Sequence, residues 1–511
     1  MACGYYGKES EREIYLCREP PLEMIAEPPE HVDAKPGRDL VRGMAWVGSL
    51  RWVGQAISWT TTLAVTRLLA PTDYGIVGMA MVFINFAQMF ADFGIGSTVI
   101  AKQELDETEI QELNAASILL GAAGFLLALA SAWPLSRFYG VSLVGPVMAA
   151  LAFVLLINGA LAVPIARLAK NIDYAGMATA DLLRSVVAGL TALSLALSGA
   201  GVWALVGGQL LGASVCVLFA YYRAPTSVRR PHSAGFRDAL HYSKETMFGR
   251  LAWMVYEGAP PVIGGRLLGA APLGEYTFAS FLASTPGEKL VNVVTQVAQP
   301  VMARHQTDSI TLHRLLSRIV EFVAFLAWPL LAGMALVAHP AIALVFNSKW
   351  AGAADPLRLL SLYNMSVAVF APFSYVLLVT GAAKQLRHIA VLGAIVLPGF
   401  FWLGASFAGA TGLAAAWAVA VPLFGVPYMI YLRRRIGFGF SDFVRALQAP
   451  ALATVGMSAV VVAVLALPLR TDLERVVYAS IAGAVTFTAI AALTRGRALW
   501  DFISTLRRSS S

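Results

Sequence analysis

The chain has little charge for its length. Asp, Glu, Lys and Arg make up 13% of its 511 residues, against about 25% in soluble domains. With 58% hydrophobic residues and a mean hydropathy of +0.67, the polar surface is too small to cover a globule in water. Cysteine is scarce as well: Cys3 and Cys17 near the N-terminus and Cys216 inside an apolar run. That excludes a disulfide framework and a cysteine-based metal set. The sequence contains no phosphate-cradling glycine loop, no HExxH and no Ser-His-Asp arrangement, so it offers no cofactor site, no hydrolytic centre and no ATPase of its own. No apolar stretch precedes a small-residue cleavage site, which argues against a secretory signal. Residues 1–42 instead hold five prolines and mixed charge and are expected to form a disordered tail.

Long charge-free runs fill the rest. Residues 113–136, 138–166, 322–348, 359–383 and 446–469 each reach the roughly 20 residues that cross a bilayer. Runs 185–222 and 389–432 are too long for one crossing and break at Gly199-Ala-Gly201 and Gly409-Ala-Thr-Gly412. Residues 476–494 form the last span.

The remaining spans flank a repeated corner. Arg67-Leu-Leu-Ala-Pro-Thr-Asp-Tyr-Gly75 lies between runs 44–66 and 74–100, and Arg266-Leu-Leu-Gly-Ala-Ala-Pro-Leu-Gly274 lies between 243–265 and 273–302. The offset is 199 residues and also carries Arg51 onto Arg250. Such duplication marks two equivalent helix bundles. The expected fold is therefore an all-α polytopic membrane protein of about 14 transmembrane helices. It divides into a cytoplasmic tail (1–42), a first lobe of six spans (43–222), a basic linker (223–242), a second six-span lobe (243–435), two C-terminal spans (436–495) and a short tail (496–511).

Basic residues set the orientation. Leaving out the far tail and residues inside spans, 24 Lys and Arg fall on the side of the termini and 7 on the other. The positive-inside rule then makes both termini cytoplasmic. It places 226–234 in the cytoplasm and 349–355 on the opposite side. The basic residues are spread over many short loops, so nucleic acid is not an expected partner. The clusters at 223–244 and Arg433-Arg434-Arg435 fit attraction to anionic membrane lipid or capture of an anionic head group.

Charges within spans are costly and usually face a cavity or a partner. They concentrate in the first, second, seventh and eighth spans: Arg51, Asp92, Arg250, Glu257, Glu288 and Lys289. By helical rise, Arg51 and Asp92 both lie roughly 25 Å from the corner, so an ion pair is expected there. Arg250 and Glu288 lie about 24 and 21 Å down, and Glu257 only about 14 Å, near the midplane. An ionised carboxylate at that depth is unfavourable unless paired. Arg51, Arg250 and Lys289, with Gln55 and Gln88, are candidates to line a cationic cavity; Glu257, Asp92 and Glu288 are candidates for ion coupling. The arginines could instead snorkel to the interface, and the glutamines could simply join helices.

These features resemble a known family. Arg51-Trp52, the first corner, Phe90-Ala-Asp-Phe-Gly-Ile-Gly96, Gly201-Val-Trp-Ala-Leu-Val206 and the second corner with Leu273-Gly-Glu-Tyr276 are similar to the Wzx-type, WzxC-like oligosaccharide flippases of the multidrug/oligosaccharidyl-lipid/polysaccharide (MOP) exporter superfamily. The resemblance covers about 40–495; Tyr256-Glu257-Gly-Ala-Pro-Pro261 departs from the family pattern. It implies a lipid-linked oligosaccharide on undecaprenyl diphosphate as cargo. That cargo would be moved across the bacterial inner membrane by alternating access for polymerisation and export, with polymerase and export machinery as partners. A cation-coupled drug exporter of the same superfamily, or a non-transporting scaffold of a polysaccharide assembly complex, is the alternative.

Overall fold

The computed structural model describes residues 54–92, 94–102, 105–230 and 234–509; the side chains at 90–92, 101, 234–250, 292–293, 295–297 and 495–509 are not among those described. The expected tail 1–42 and Arg51 therefore lie outside the described residues, as do the side chains of Asp92 and Arg250, and with them the expected Arg51–Asp92 pair.

Every described element is helical. The helices are α1 (Gly54–Leu68), then α2 (Pro71–Asp92), α3 (Ile95–Ala101), α4 (Glu107–Tyr139), α5 (Val144–Lys170), α6 (Tyr174–Leu197), α7 (Val202–Arg223), α8 (Ala234–Leu268), α9 (Ala270–Arg304), α10 (Ser309–Phe346), α11 (Ala354–Val379), α12 (Ala383–Ala415), α13 (Ala420–Ile436), α14 (Phe440–Leu465) and α15 (Asp472–Ser509). Short 3-10 turns at Ser348–Ala353 and Ala416–Val419 join the pairs around them. The chain is an all-α polytopic membrane protein. Nine helices among the described residues are long and apolar enough to cross a membrane, or ten if the bent pair α1–α2 counts as one span. The expected fourteen is a larger number because α1 and α2 reach the needed length and apolarity only together, as one bent pair, and for two further physical reasons. Helices α8 and α9 carry the in-span charges, which lowers their apolarity. The 54 residues of Ala383–Ile436 count as one span although the chain breaks inside them.

The breaks fall where the glycine clusters are. Helix α6 stops at Leu197 and α7 starts at Val202, with Gly199 and Gly201 at φ 78° and 58°. Inside α12, Gly409 adopts φ 59° and ψ −137°, a region open only to glycine. Helix starts are held by acidic caps: Asp106 accepts from the Glu109 amide in a capping box, and Asp173 and Asp308 cap α6 and α10. Within the first lobe α4 and α5 approach backbone to backbone. A Cβ on Gly121 would sit 2.8 Å from the Leu155 carbonyl oxygen, and the Ser117 hydroxyl donates to the Gly159 carbonyl at 2.7 Å, as small-residue helix contacts in membranes require.

One buried core contains residues of both lobes. It runs from Ile76, Met79 and Leu151 of the first to Leu273, Phe278, Trp350 and Trp417 of the second. Here the repeat-equivalent helices α2 and α9 pack against each other. At the opposite end the cores are separate. Ile95, Val99, Ile110 and Val163 cluster within the first lobe, and Leu312, Phe373, Leu432 and Phe438 within the second. Among the described residues, the lobes thus share a core at the corner end and none at the other.

Candidate functional site

The seam between the lobes is built from α1, α2, α8 and α9, the helices in which the sequence placed its charges. Helix α8 carries Glu257. Its neighbour Gly258 faces α2, since a Cβ there would lie 3.3 Å from Val82 Cγ1. The Glu257 side chain retains accessible surface yet is closely surrounded by protein, as a group that lines an internal crevice is. It is within Coulombic reach of Glu288 on α9 and of Tyr256, Tyr276 and Tyr363. The structure therefore brings together two of the expected coupling residues, Glu257 and Glu288. Lys289 follows Glu288 in α9, and both are exposed.

The Pro260-Pro261 pair does not interrupt α8, which runs unbroken to Leu268. Prolines have no N–H, so the carbonyls of Tyr256 and Glu257 lose their helical donors. Two backbone oxygens are thereby left without helical partners beside the Glu257 carboxylate. The 199-residue offset carries Ser58 onto Glu257, so the first half has a hydroxyl where the second has an acid. Arg250 lies two turns from Glu257 along α8, about 10 Å towards the end where the lobes share no core.

Gln55 lines a small crevice, with a cavity volume of about 20 Å³, together with Ser58, Trp59 and Thr62 of α1 and Phe278 and Phe281 of α9. Gln88 is half-buried and accepts a hydrogen bond from Asn158 Nδ2 at 2.9 Å, which ties α2 to α5. Of the two readings of Gln88, the helix-joining one has the visible contact. No group of three or more His, Cys, Asp or Glu among the described residues has metal-holding geometry.

Sequence reasoning missed Trp350. It lies in the segment expected to face the far side of the membrane, yet it is fully buried. Its indole Nε1 donates to the Thr66 carbonyl at 3.0 Å, and rings of Tyr74 and Phe278 pack on it with centroids at 5.2 and 4.4 Å. A tryptophan at a span end usually reads as an interfacial anchor; nothing in the sequence separates that from a buried one.

The family described as polysaccharide biosynthesis protein matches residues 64–355, more than half of the chain, and the chain belongs to it. Among curated relatives, the lipopolysaccharide biosynthesis protein WzxC of Escherichia coli (strain K12) is 23% identical over 80% of this chain and 84% of its own length. The teichuronic acid biosynthesis protein TuaB of Bacillus subtilis (strain 168) is 25% identical over 73% and 78%. The succinoglycan biosynthesis transport protein ExoT of Rhizobium meliloti (strain 1021) is 23% identical over 77% and 80%. Among solved structures, the lipid II flippase MurJ in an inward closed conformation superposes with a TM-score of 0.70 at 13% identity, over 89% of this chain and all of that one. A multidrug resistance MATE family transporter of the MOP superfamily, inward-facing, gives 0.58 at 16% identity over 76% and 98%. The fold is that of these transporters.

Proposed function

We propose that the chain flips a lipid-linked oligosaccharide, carried on undecaprenyl diphosphate, from the cytoplasmic to the periplasmic leaflet of the bacterial inner membrane, by alternating access of its two lobes. It acts as a transporter rather than an enzyme, and both termini are cytoplasmic. The observation that carries this reading is the conjunction of a polysaccharide-biosynthesis family with the two-lobed exporter fold. The chemistry agrees with it. A diphosphate carries about two negative charges, which cannot enter hydrocarbon unpaired. Arg51, Arg250 and Lys289 would neutralise it along the seam while the polyprenyl tail stays in lipid. Gln55 and Gln88 would offer hydrogen bonds, and Glu257, with Glu288 and Asp92, would take part in ion coupling. The membrane potential can contribute about 2.3 kcal/mol per charge per 100 mV.

The test is transport in proteoliposomes that contain only this protein and a fluorescent undecaprenyl-diphosphate oligosaccharide. The wild type should move the sugar to the opposite leaflet. Arg250→Ala and Lys289→Ala should each slow it by roughly tenfold, the scale of one lost charge-assisted contact, and Arg250→Lys less. Movement of cationic drugs but not of the lipid-linked sugar would make the chain a drug exporter. Movement of neither would make it a scaffold.

A further inference from the structure

The two copies of the corner sequence meet each other. A Cβ added to Gly75 would lie 1.8 Å from the Ala270 carbonyl oxygen, and one added to Gly274 would lie 1.7 Å from the Pro71 carbonyl oxygen. The 199-residue offset carries Pro71 onto Ala270 and Gly75 onto Gly274. These are therefore one contact, exchanged across a local two-fold axis. Only hydrogen fits at either glycine, so the backbones of α2 and α9 touch. One turn further the same offset carries Gly78 onto Thr277, and these two also face each other. An ideal Cβ at Gly78 lies 3.9 Å from Thr277 Cβ.

The corner arginines clasp the junction from both sides. Arg67 donates from Nε to the Val345 carbonyl and from Nη2 to the Leu344 carbonyl, the latter at 3.2 Å. Those oxygens belong to the last turn of α10 in the opposite lobe, where carbonyls have no helical donors and a cation is favoured. Its repeat partner Arg266 reaches the other way and stands over the Phe138 ring, 5.8 Å from the centroid, at the last turn of α4. The clasp is lopsided: two hydrogen bonds on one side and a ring contact on the other.

We propose that this two-fold junction is the gate that closes the transport path at the corner end, and that Arg67 is its latch. Opening separates Gly75 from Ala270 and Gly274 from Pro71, and Arg67 leaves the α10 carbonyls in the same step. Removing Arg67 therefore biases the molecule towards the state open at the corners, and removing Arg266 does so less. The proposal rests on the transporter reading above, but two of its readouts need no cargo.

The experiment uses the full chain with Cys3 and Cys17 replaced by serine and Cys216 by alanine. In Gly78→Cys/Thr277→Cys the Cβ separation of 3.9 Å falls within the disulfide range of about 3.5–4.5 Å. Oxidation should cross-link the pair within one chain and stop surface-polysaccharide export by cells that depend on the variant, and a reductant should restore it. Failure to cross-link, or full export by cross-linked protein, would overturn the gate. Thr277→Cys alone keeps the size of the side chain and reports opening. In permeabilised cells an impermeant maleimide should react slowly with it. Adding Arg67→Ala should speed the reaction about tenfold, the scale of one lost charged hydrogen bond. Arg67→Lys should fall between, and Arg266→Ala should have a smaller effect. An unchanged rate with Arg67→Ala would remove its role as latch. If labelling and cross-linking behave as expected while lipid-linked sugar is not moved, the cargo assignment fails and the gate stands.

Discussion

Trp350 and Glu257 mark the two ways in which single residues act here. Trp350 is a packing residue. Trp350→Ala should empty the site between Tyr74, Phe278 and Phe346 and lower stability by about 3–5 kcal/mol, read as a fall in the thermal unfolding midpoint in detergent. Trp350→Phe should cost less, about 1 kcal/mol for the indole donor lost from the Thr66 carbonyl. A midpoint unmoved by alanine would show that the ring packs without holding the lobes. Glu257 is a functional residue by hypothesis, because it is a carboxylate mid-helix, close to a second acid on α9. Glu257→Gln keeps its size and hydrogen bonding but removes titration. In proteoliposomes this variant should still bind lipid-linked oligosaccharide yet lose acceleration by an imposed pH gradient. A response to the gradient equal to the wild type's would rule out Glu257 as the proton-coupling residue. Glu257 was legible in the sequence because a charge inside an apolar run is conspicuous. Trp350 was not, because burial depends on a partner 284 positions away.

At the scale of helices, boundaries were legible where glycine sets the backbone and less so where contacts do. The clusters at 199–201 and 409–412 read as turns in the sequence, and the chain turns or breaks there. Gly409→Ala should strain a conformation with φ 59° and ψ −137° by roughly 1–3 kcal/mol, whereas Ala408→Gly, at φ −138°, should cost at most a few tenths. Comparing the unfolding midpoints of the two variants checks this, and equal losses would mean that the break is set by packing rather than by the glycine. The pairing of α4 with α5 through Gly121 and Gly159 was not legible. Both glycines sit inside apolar runs, and nothing local distinguishes a glycine that meets a backbone from one that faces lipid. The double proline at 260–261 departs from the family pattern in sequence, yet α8 continues past it. Neighbouring helices commonly support such prolines in membrane spans.

For the whole molecule, the repeat announces two lobes but cannot say how they dock. An offset of 199 residues establishes equivalence between α2 and α9; that the equivalent corners touch is a property of the assembled structure. Orientation rests on charge alone. The 24-to-7 division of basic residues would place Ser227 in the cytoplasm and the Ser348–Ala353 turn in the periplasm. Both ends of that argument have exposed positions to probe. Ser227 is exposed, on a strap held to the first lobe by Asn114, whose Nδ2 donates to the Thr226 and Ser227 carbonyls at 3.4 and 3.3 Å. Ala351 is exposed in the turn. Gly352 beside it is a poor choice, since a Cβ there would lie 2.3 Å from a Glu275 carboxylate oxygen. In sealed cells, Ala351→Cys should react with an impermeant maleimide and Ser227→Cys should react only after permeabilisation. Reaction at 227 in sealed cells would invert the topology, and with it the direction in which the corner end faces. The corner junction would then close the cytoplasmic side, and the proposed cationic seam would open towards the periplasm, where it could not receive a cargo assembled inside the cell.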